Sequence, residues 1–467
     1  MELMLRRTLP AALLALRSLA QAPKSTLRGK LAQAARRKPA LLTPEGRTVL
    51  LDAEADTLSV VNDARLHGMD MEAAGEFTAP DQFRVGPFHL RSLLVLKGGK
   101  KYEVTYWCEV CAIRTYTPGK CMCCQQETQL DLREPLMSNA QNYSATKTVV
   151  DSIEVVRLTD AAHKTEVSIV PSIGNTAYEM KVNGKNVFWA PYSGPGELKA
   201  KPAQGGNPFL APWANRIDQD AFYANGKKYL LNPELRNWRR DQNQKPIHGL
   251  LVYSSAWQVV GLKADGAGAE TTSRLEFWKH PDLISQFPFA HTITMTHRLR
   301  DGVLEVETTL ENHSTDPMPV SLGYHAYYQL HDSPRDEWTV HVAARERMVL
   351  SNLLIPTGER QPVSLPDPAP LAGTQLDDVF SSLVRGPNSR AEFFVQGKRE
   401  KISVIYGPKY TVAVIYAPPG RNFICFEPMA TITNAFNLAH AGIYKELQSV
   451  PPGGVWRESF WIQPSGF

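Results

Sequence analysis

Beyond its first residues the sequence has no run approaching the roughly 20 consecutive apolar residues that a membrane-spanning helix needs, which excludes such a span. It also has little net charge. The 51 Lys and Arg against 47 Asp and Glu give +4, spread along the chain without a basic block. That balance argues against nucleic acid or an anionic membrane as partner and suits a small neutral ligand. Repeats at a solenoid period are absent, and helix-period stretches are few and short. What remains is 467 residues, too many for one ordinary domain, with 43% apolar and 21% charged residues as in a globular protein.

Met1–Arg7 carries two arginines, Thr8–Leu16 is apolar and Ala20-Gln21-Ala22 fits a small-residue cleavage site. Residues 1–22 therefore read as a secretory leader, which implies a periplasmic or secreted protein. The alternative is an amphipathic helix, interrupted by Pro10 and Arg17, on a cytoplasmic chain. Residues 23–132 carry short strand-like runs such as Thr48-Val49-Leu50-Leu51 and Tyr102–Trp107, a small β-domain with a cysteine-rich end. The polar, unpatterned stretch 133–147 is expected to be a linker. From 148 to 467 the reading is almost all β, with alternation through Leu304, Val306 and Leu310 and hairpin turns at Asn183-Gly184, Asn225-Gly226 and Asp301-Gly302. The fold class is thus all-β: two large antiparallel sheets packed as a β-sandwich, behind a small Cys-rich β-domain.

Five of the six cysteines fall between Cys108 and Cys124. Cys108/Cys111 and Cys121/Cys124 form two CxxC knuckles around Pro118-Gly119, a spacing able to place four thiolates about a structural zinc ion. Disulfides are the alternative, one that an exported protein would favour; a thiol-switch role is a third. Cys123 is left over by either pairing. Neither CxxC is followed by His, against a covalently attached haem. Cys425, between Ile424 and Phe426, reads as a buried packing residue.

Five short polar islands interrupt the apolar runs of the second domain: Asn215-Arg216-Ile217, Pro246-Ile247-His248-Gly249, Gly323-Tyr324-His325, Leu376-Asp377-Asp378 and Phe426-Glu427-Pro428. They supply imidazoles, carboxylates and a guanidinium, the groups that acid/base work on a sugar ring requires. A histidine suits the acid because its pKa lies near neutrality, and a nearby carboxylate is expected to hold it protonated. Pro428, lacking an N–H, is expected to end ladder pairing and leave Glu427 at a strand terminus.

In order and wording the islands resemble the aldose 1-epimerase (galactose mutarotase) family, over roughly Val149 to Ile462. The resemblance implies the supersandwich fold of that family and a cofactor-independent isomerase acting on a hexose such as glucose or galactose. It assigns His325 as the acid and Glu427 as the base, with Arg216, His248 and Asp377 holding the sugar. Trp213, Phe289 and Tyr324 are candidate aromatic platforms for the sugar's C–H face. Two departures stand out: Gly249-Leu250 replaces the familiar Gly-Gly, and the first island reads Pro-Trp-Ala-Asn-Arg, closer to the broader aldose and hexose-6-phosphate epimerase-like branches. Three rival readings remain open. One is a sugar-binding or sensing protein without turnover, and the second is a hexose-6-phosphate 1-epimerase, for which Arg239-Arg240 leaves room. The third is a docking role for the Cys-rich module.

Overall fold

The structure is a computed structural model that describes residues 25–34, 38–133, 142–386 and 388–467. The expected leader and most of the expected linker lie outside the described residues. The chain divides into two compact units, Met1–Met137 and Ser138–Phe467.

The first unit contains β1 (Ser25–Gln33), β2 (Pro39–Leu42), β3 (Thr48–Asp52), a short helix α1 (Ala55–Val61), β4 (Asp70–Ala79) and β5 (Gln82–Val85). β1 pairs with β2, β2 with β3, β3 in parallel with β5, β5 with β4, and β4 again with β1. This closed ring, with a helix between β3 and β4, has the connectivity of the OB-fold barrel. Leu27, Leu31, Leu41, Val49, Met71 and Phe83 fill its interior. A side chain at Gly75 would place Cβ 2.0 Å from Arg84 O, so only glycine lets β4 bend against β5 there. Beyond the ring, β6 (Leu93–Lys97) pairs with β4 and with β7 (Lys100–Cys108). β8 (Ile113–Thr115) and β9 (Gln129–Arg133) both pair with β7.

The second unit opens with β10 (Tyr143–Val150), so residues 143–147 of the expected linker are strand. Its residues pair along their full length with Ile153–Asp160 through a turn whose central residues, Asp151 and Ser152, have φ of 51° and 63°. Their polar composition is that of an edge strand, where solvent-facing Ser144, Thr146 and Lys147 discourage further pairing. Two larger antiparallel sheets follow. One is eight-stranded and contains Gly323–Tyr324, Ala326–Tyr328, Leu376–Leu383, Val412–Ala417 and Ile424–Met429; the other is nine-stranded and contains His291–Arg300, Val303–Asn312 and Val455–Ser465. Their facing side chains make one continuous core, with Tyr324 against Phe460 at 4.7 Å and Phe393 against Phe426 at 6.3 Å between ring centroids. The molecule is all-β, and its large unit is the two-sheet sandwich expected from the alternation.

Candidate functional site

Alternation along Ile424–Met429 decides which residues leave the core. Ile424 and Phe426 point into the sandwich, so Cys425 and Glu427 point to the opposite face of the eight-stranded sheet. Register then builds that face from distant parts of the chain. Asp377 lies opposite Tyr416, Tyr416 opposite Cys425, and Cys425 opposite Tyr327, forming one row across four strands. In the next row Val379 meets Val414 and Val414 meets Glu427. Pairing of Gly323 with Met429 and of Ala326 with Phe426 carries this register through His325, which sits across from Glu427. Asp378, one residue from Asp377, points the other way and pairs with Arg347 at 3.3 Å.

Pro428 does not end the ladder. It pairs with Ala413, and the strand continues to Met429. Proline removes one donor without breaking the register, so Glu427 is internal to the sheet and only 1% exposed.

His325 interrupts its own strand between Tyr324 and Ala326, sending its backbone N–H to Pro208 O at 3.0 Å. Its ring stacks on Tyr327 with centroids 4.6 Å apart, and Nε2 lies 3.3 Å from Glu427 Oε1. His248 packs edge-on against His325 at 5.4 Å. It is placed there by a turn in which His248 and Gly249 both have positive φ (64° and 67°) and His248 N–H donates to Asn215 O at 2.8 Å. At Gly249 a Cβ would fall 2.2 Å from Ala211 O, so this island demands glycine. Arg216 bridges Ile247, which pairs with Arg239 on its other side, so both guanidiniums spring from the same small ladder. Arg216 Nε donates to Asp241 at 2.6 Å, an ion pair largely out of solvent. Burial opposes ionisation of Asp241, yet the Lys245 N–H, Arg216 and the Asn243 N–H together hold its carboxyl below the usual range.

The electrostatics differ from the expectation for His325. Burial pushes its pKa down to about 3, and the charges of Arg239 and Arg216 push the same way. Burial, with Asp377 adding, pushes Glu427 well above the usual carboxylate range, while Arg216 opposes this. Each group is therefore driven toward its neutral form, a direction that favours the pair's proton on the carboxyl side. His248 is held well below its ordinary value by burial and then by His325, Arg239 and Arg216. Asp377 is raised by burial. Three buried polar atoms of these groups, His325 Nδ1, His248 Nδ1 and Glu427 Oε2, have no hydrogen-bond partner among the described residues. Such unmet capacity is what a polyhydroxylated ligand satisfies.

The five islands converge, but the proposed aromatic platforms do not. Trp213, Phe289 and Tyr324 are buried in the sandwich core. The aromatic side chains beside the dyad are instead Tyr327, Tyr416, Phe423 and Trp189, with Trp189 and Phe423 centroids 4.4 Å apart. Tyr416 and Phe423 flank the turn ahead of Glu427; register puts Tyr416 on its face, and Phe423 packs against Tyr416 and Tyr327 there. Arg239, one of the two arginines that leave room for a phosphate, acts on the charge of His325 and His248; Asp241 is an addition to the sequence reading, and the turn Asp241-Gln242-Asn243 is a local signal for it. Cys425 is buried as expected, yet its sulfur, the His325 ring and the Glu427 carboxyl each offer an atom within 4.8 Å of the others.

A sequence profile described as Aldose 1-epimerase matches residues 154–463. The chain belongs to the aldose 1-epimerase family. Among solved structures, a galactose mutarotase-like protein from Clostridium acetobutylicum superposes with a TM-score of 0.63 at 20% identity, over 70% of this chain and 100% of that one. An aldose epimerase homologue from C. elegans gives 0.51 at 20% identity, over 65% and 96%. A galactose 1-epimerase from Lactobacillus acidophilus gives 0.52 at 13% identity, over 70% and 99%. At these identities the likeness is one of fold.

Proposed function

We propose that the second unit interconverts the α and β anomers of a hexose, glucose or galactose by default, by opening and reclosing the ring. The observation that carries this is the buried His325–Glu427 pair, 3.3 Å apart on one sheet face and surrounded by Arg216, His248 and Asp377. The one proton of the pair is the one the reaction needs. As sugar hydroxyls donate to the carboxyl, its proton passes across that short gap to His325. Glu427 then takes the proton of the anomeric hydroxyl while His325 gives its own to the ring oxygen; the bond from C1 to the ring oxygen breaks and C1 becomes a carbonyl. Rotation about the C1–C2 bond presents the other face, and the two groups exchange roles as the ring recloses. Protons balance, and no cofactor enters. Arg216, fixed by Asp241, has its remaining guanidinium donors for a pair of sugar hydroxyls, and Asp377 accepts from others.

A second reading, a hexose carrying a phosphate, is favoured by Arg239. Arg240 is neutralised by Asp220 at 2.7 Å, whereas Arg239 lies over the Tyr253 ring at 5.5 Å and pairs with no carboxylate among the described residues. Polarimetry on freshly dissolved α-glucose, α-galactose and α-glucose 6-phosphate tests both. Acceleration with the free sugars supports the first reading, and acceleration confined to the phosphate selects the second. Sugar affinity without acceleration of any of the three would replace the enzyme by a binding protein.

A further inference from the structure

We propose that Cys108, Cys111, Cys121 and Cys124 hold one zinc ion as a closed tetrathiolate that pins two turns to the end of β7. The inference concerns the first unit and does not depend on the sugar chemistry.

Cys108 is the last residue of β7 and pairs with Ile113 across a tight turn bearing Cys111. The second knuckle repeats that shape: Gln125 N–H closes on Cys121 O at 2.9 Å, and Cys121 N–H reaches Gln126 O at 2.8 Å. The residue after each CxxC, Ala112 and then Gln125, is left-handed, with φ of 51° and 59°. In each knuckle the backbone folds over the first sulfur. The N–H groups of Val110 and Cys111 are directed at Cys108 and those of Cys123 and Cys124 at Cys121. Such donors stabilise thiolates and orient them as ligands.

All four sulfurs lie within 4.8 Å of one another. Tetrahedral Zn–S bonds of about 2.3 Å require sulfurs about 3.8 Å apart, so shifts of about an ångström suffice. The Cys108 and Cys124 sulfurs are 3.3 Å apart and all six cysteines are free thiols. No pair has the separation of about 2.05 Å that a disulfide bond requires. Cys108 and Cys121 are buried, Cys111 and Cys124 half-buried, and Cys123 exposed, which makes Cys123 the bystander. Four thiolates leave no open position, the mark of a structural rather than a catalytic ion.

The surroundings give the ion its task. The apolar residues of these turns face water, with Val110 71% and Met122 88% exposed, so burial does little to hold them. A metal closing both turns supplies what a small core lacks. Each ligating thiol gives its proton to solvent as the Zn–S bond forms, so metal uptake also acidifies an unbuffered solution.

The test uses the full chain, with metal content measured on wild type, Cys121→Ser and Cys123→Ser. About one zinc per chain in wild type and Cys123→Ser, and background in Cys121→Ser, supports the site. Should Cys121→Ser fail to fold, wild type still decides: a thiol reagent should find Cys123 alone reacting fast, and Cys108, Cys111, Cys121 and Cys124 joining it after chelation. Iron in place of zinc, an intact mass reduced by two hydrogens per disulfide, all five thiols reactive before chelation, or zinc lost with Cys123 rather than Cys121 would each overturn it.

Discussion

Replacing Glu427 by glutamine separates chemistry from architecture more cleanly than any other change at this site. The amide keeps the volume of a side chain that is 1% exposed and can still meet His325 Nε2, 3.3 Å away from the present carboxyl oxygen. What it cannot do is accept the anomeric proton. Loss of one acid/base partner costs on the order of 10²–10⁴ in rate, or roughly 3–5 kcal/mol of barrier. Stability should move the other way. Burial raises the Glu427 pKa in the folded chain, so its contribution is complete below the unfolded value of about 4.5 and is lost as pH rises toward the folded value. Over that window folding takes up a proton, at about 1.4 kcal/mol per pH unit, and glutamine removes this dependence. Polarimetry and urea unfolding at pH 5 and 7.5 read both effects. The expected variant has lost acceleration and gains stability over wild type as pH rises. Equal rates in the two proteins would refute the assignment of Glu427.

Asp241→Asn weakens the 2.6 Å ion pair that orients Arg216, and should raise KM about tenfold with kcat nearly kept, by steady-state kinetics. Gly249→Ala forces a side chain onto a left-handed residue and against Ala211 O; it should cost more than about 1 kcal/mol in urea unfolding and lower kcat by displacing His248. His291 and His297 are buried neutral, each lowered by burial to about 4, so the unfolded chain binds their protons first as pH falls. Stability should therefore decline between pH 6.5 and 4, by up to about 3 kcal/mol per unit for the two, and His297→Gln should flatten that slope.

The islands are legible in one dimension because each places polar residues inside otherwise apolar strand sequence, and the fold class because alternation at Leu304–Leu310 is local. What decides the rest is pairing between distant segments. Tyr416 joins Glu427 only through register, and Trp213, Phe289 and Tyr324 are taken up by the core instead. Arg239 reaches the site through a two-residue strand too short to leave a pattern. The proton's place on the dyad depends on burial, which composition does not encode. Likewise the Ser, Thr and Lys residues of β10 look unstructured until the strand beside it is known, and the barrel closes through a parallel β3–β5 contact that no hairpin signal announces.

Because β1 pairs with both β2 and β4, it is the keystone of the amino-terminal ring, and its first residue, Ser25, stands opposite Gly75. Trimming the chain up to Ala22 leaves both seams whole. Cutting into Ser25 and beyond would unzip the β4 seam from its end and bare the apolar lining to neighbouring copies, so the barrel itself sets how far the chain can be shortened.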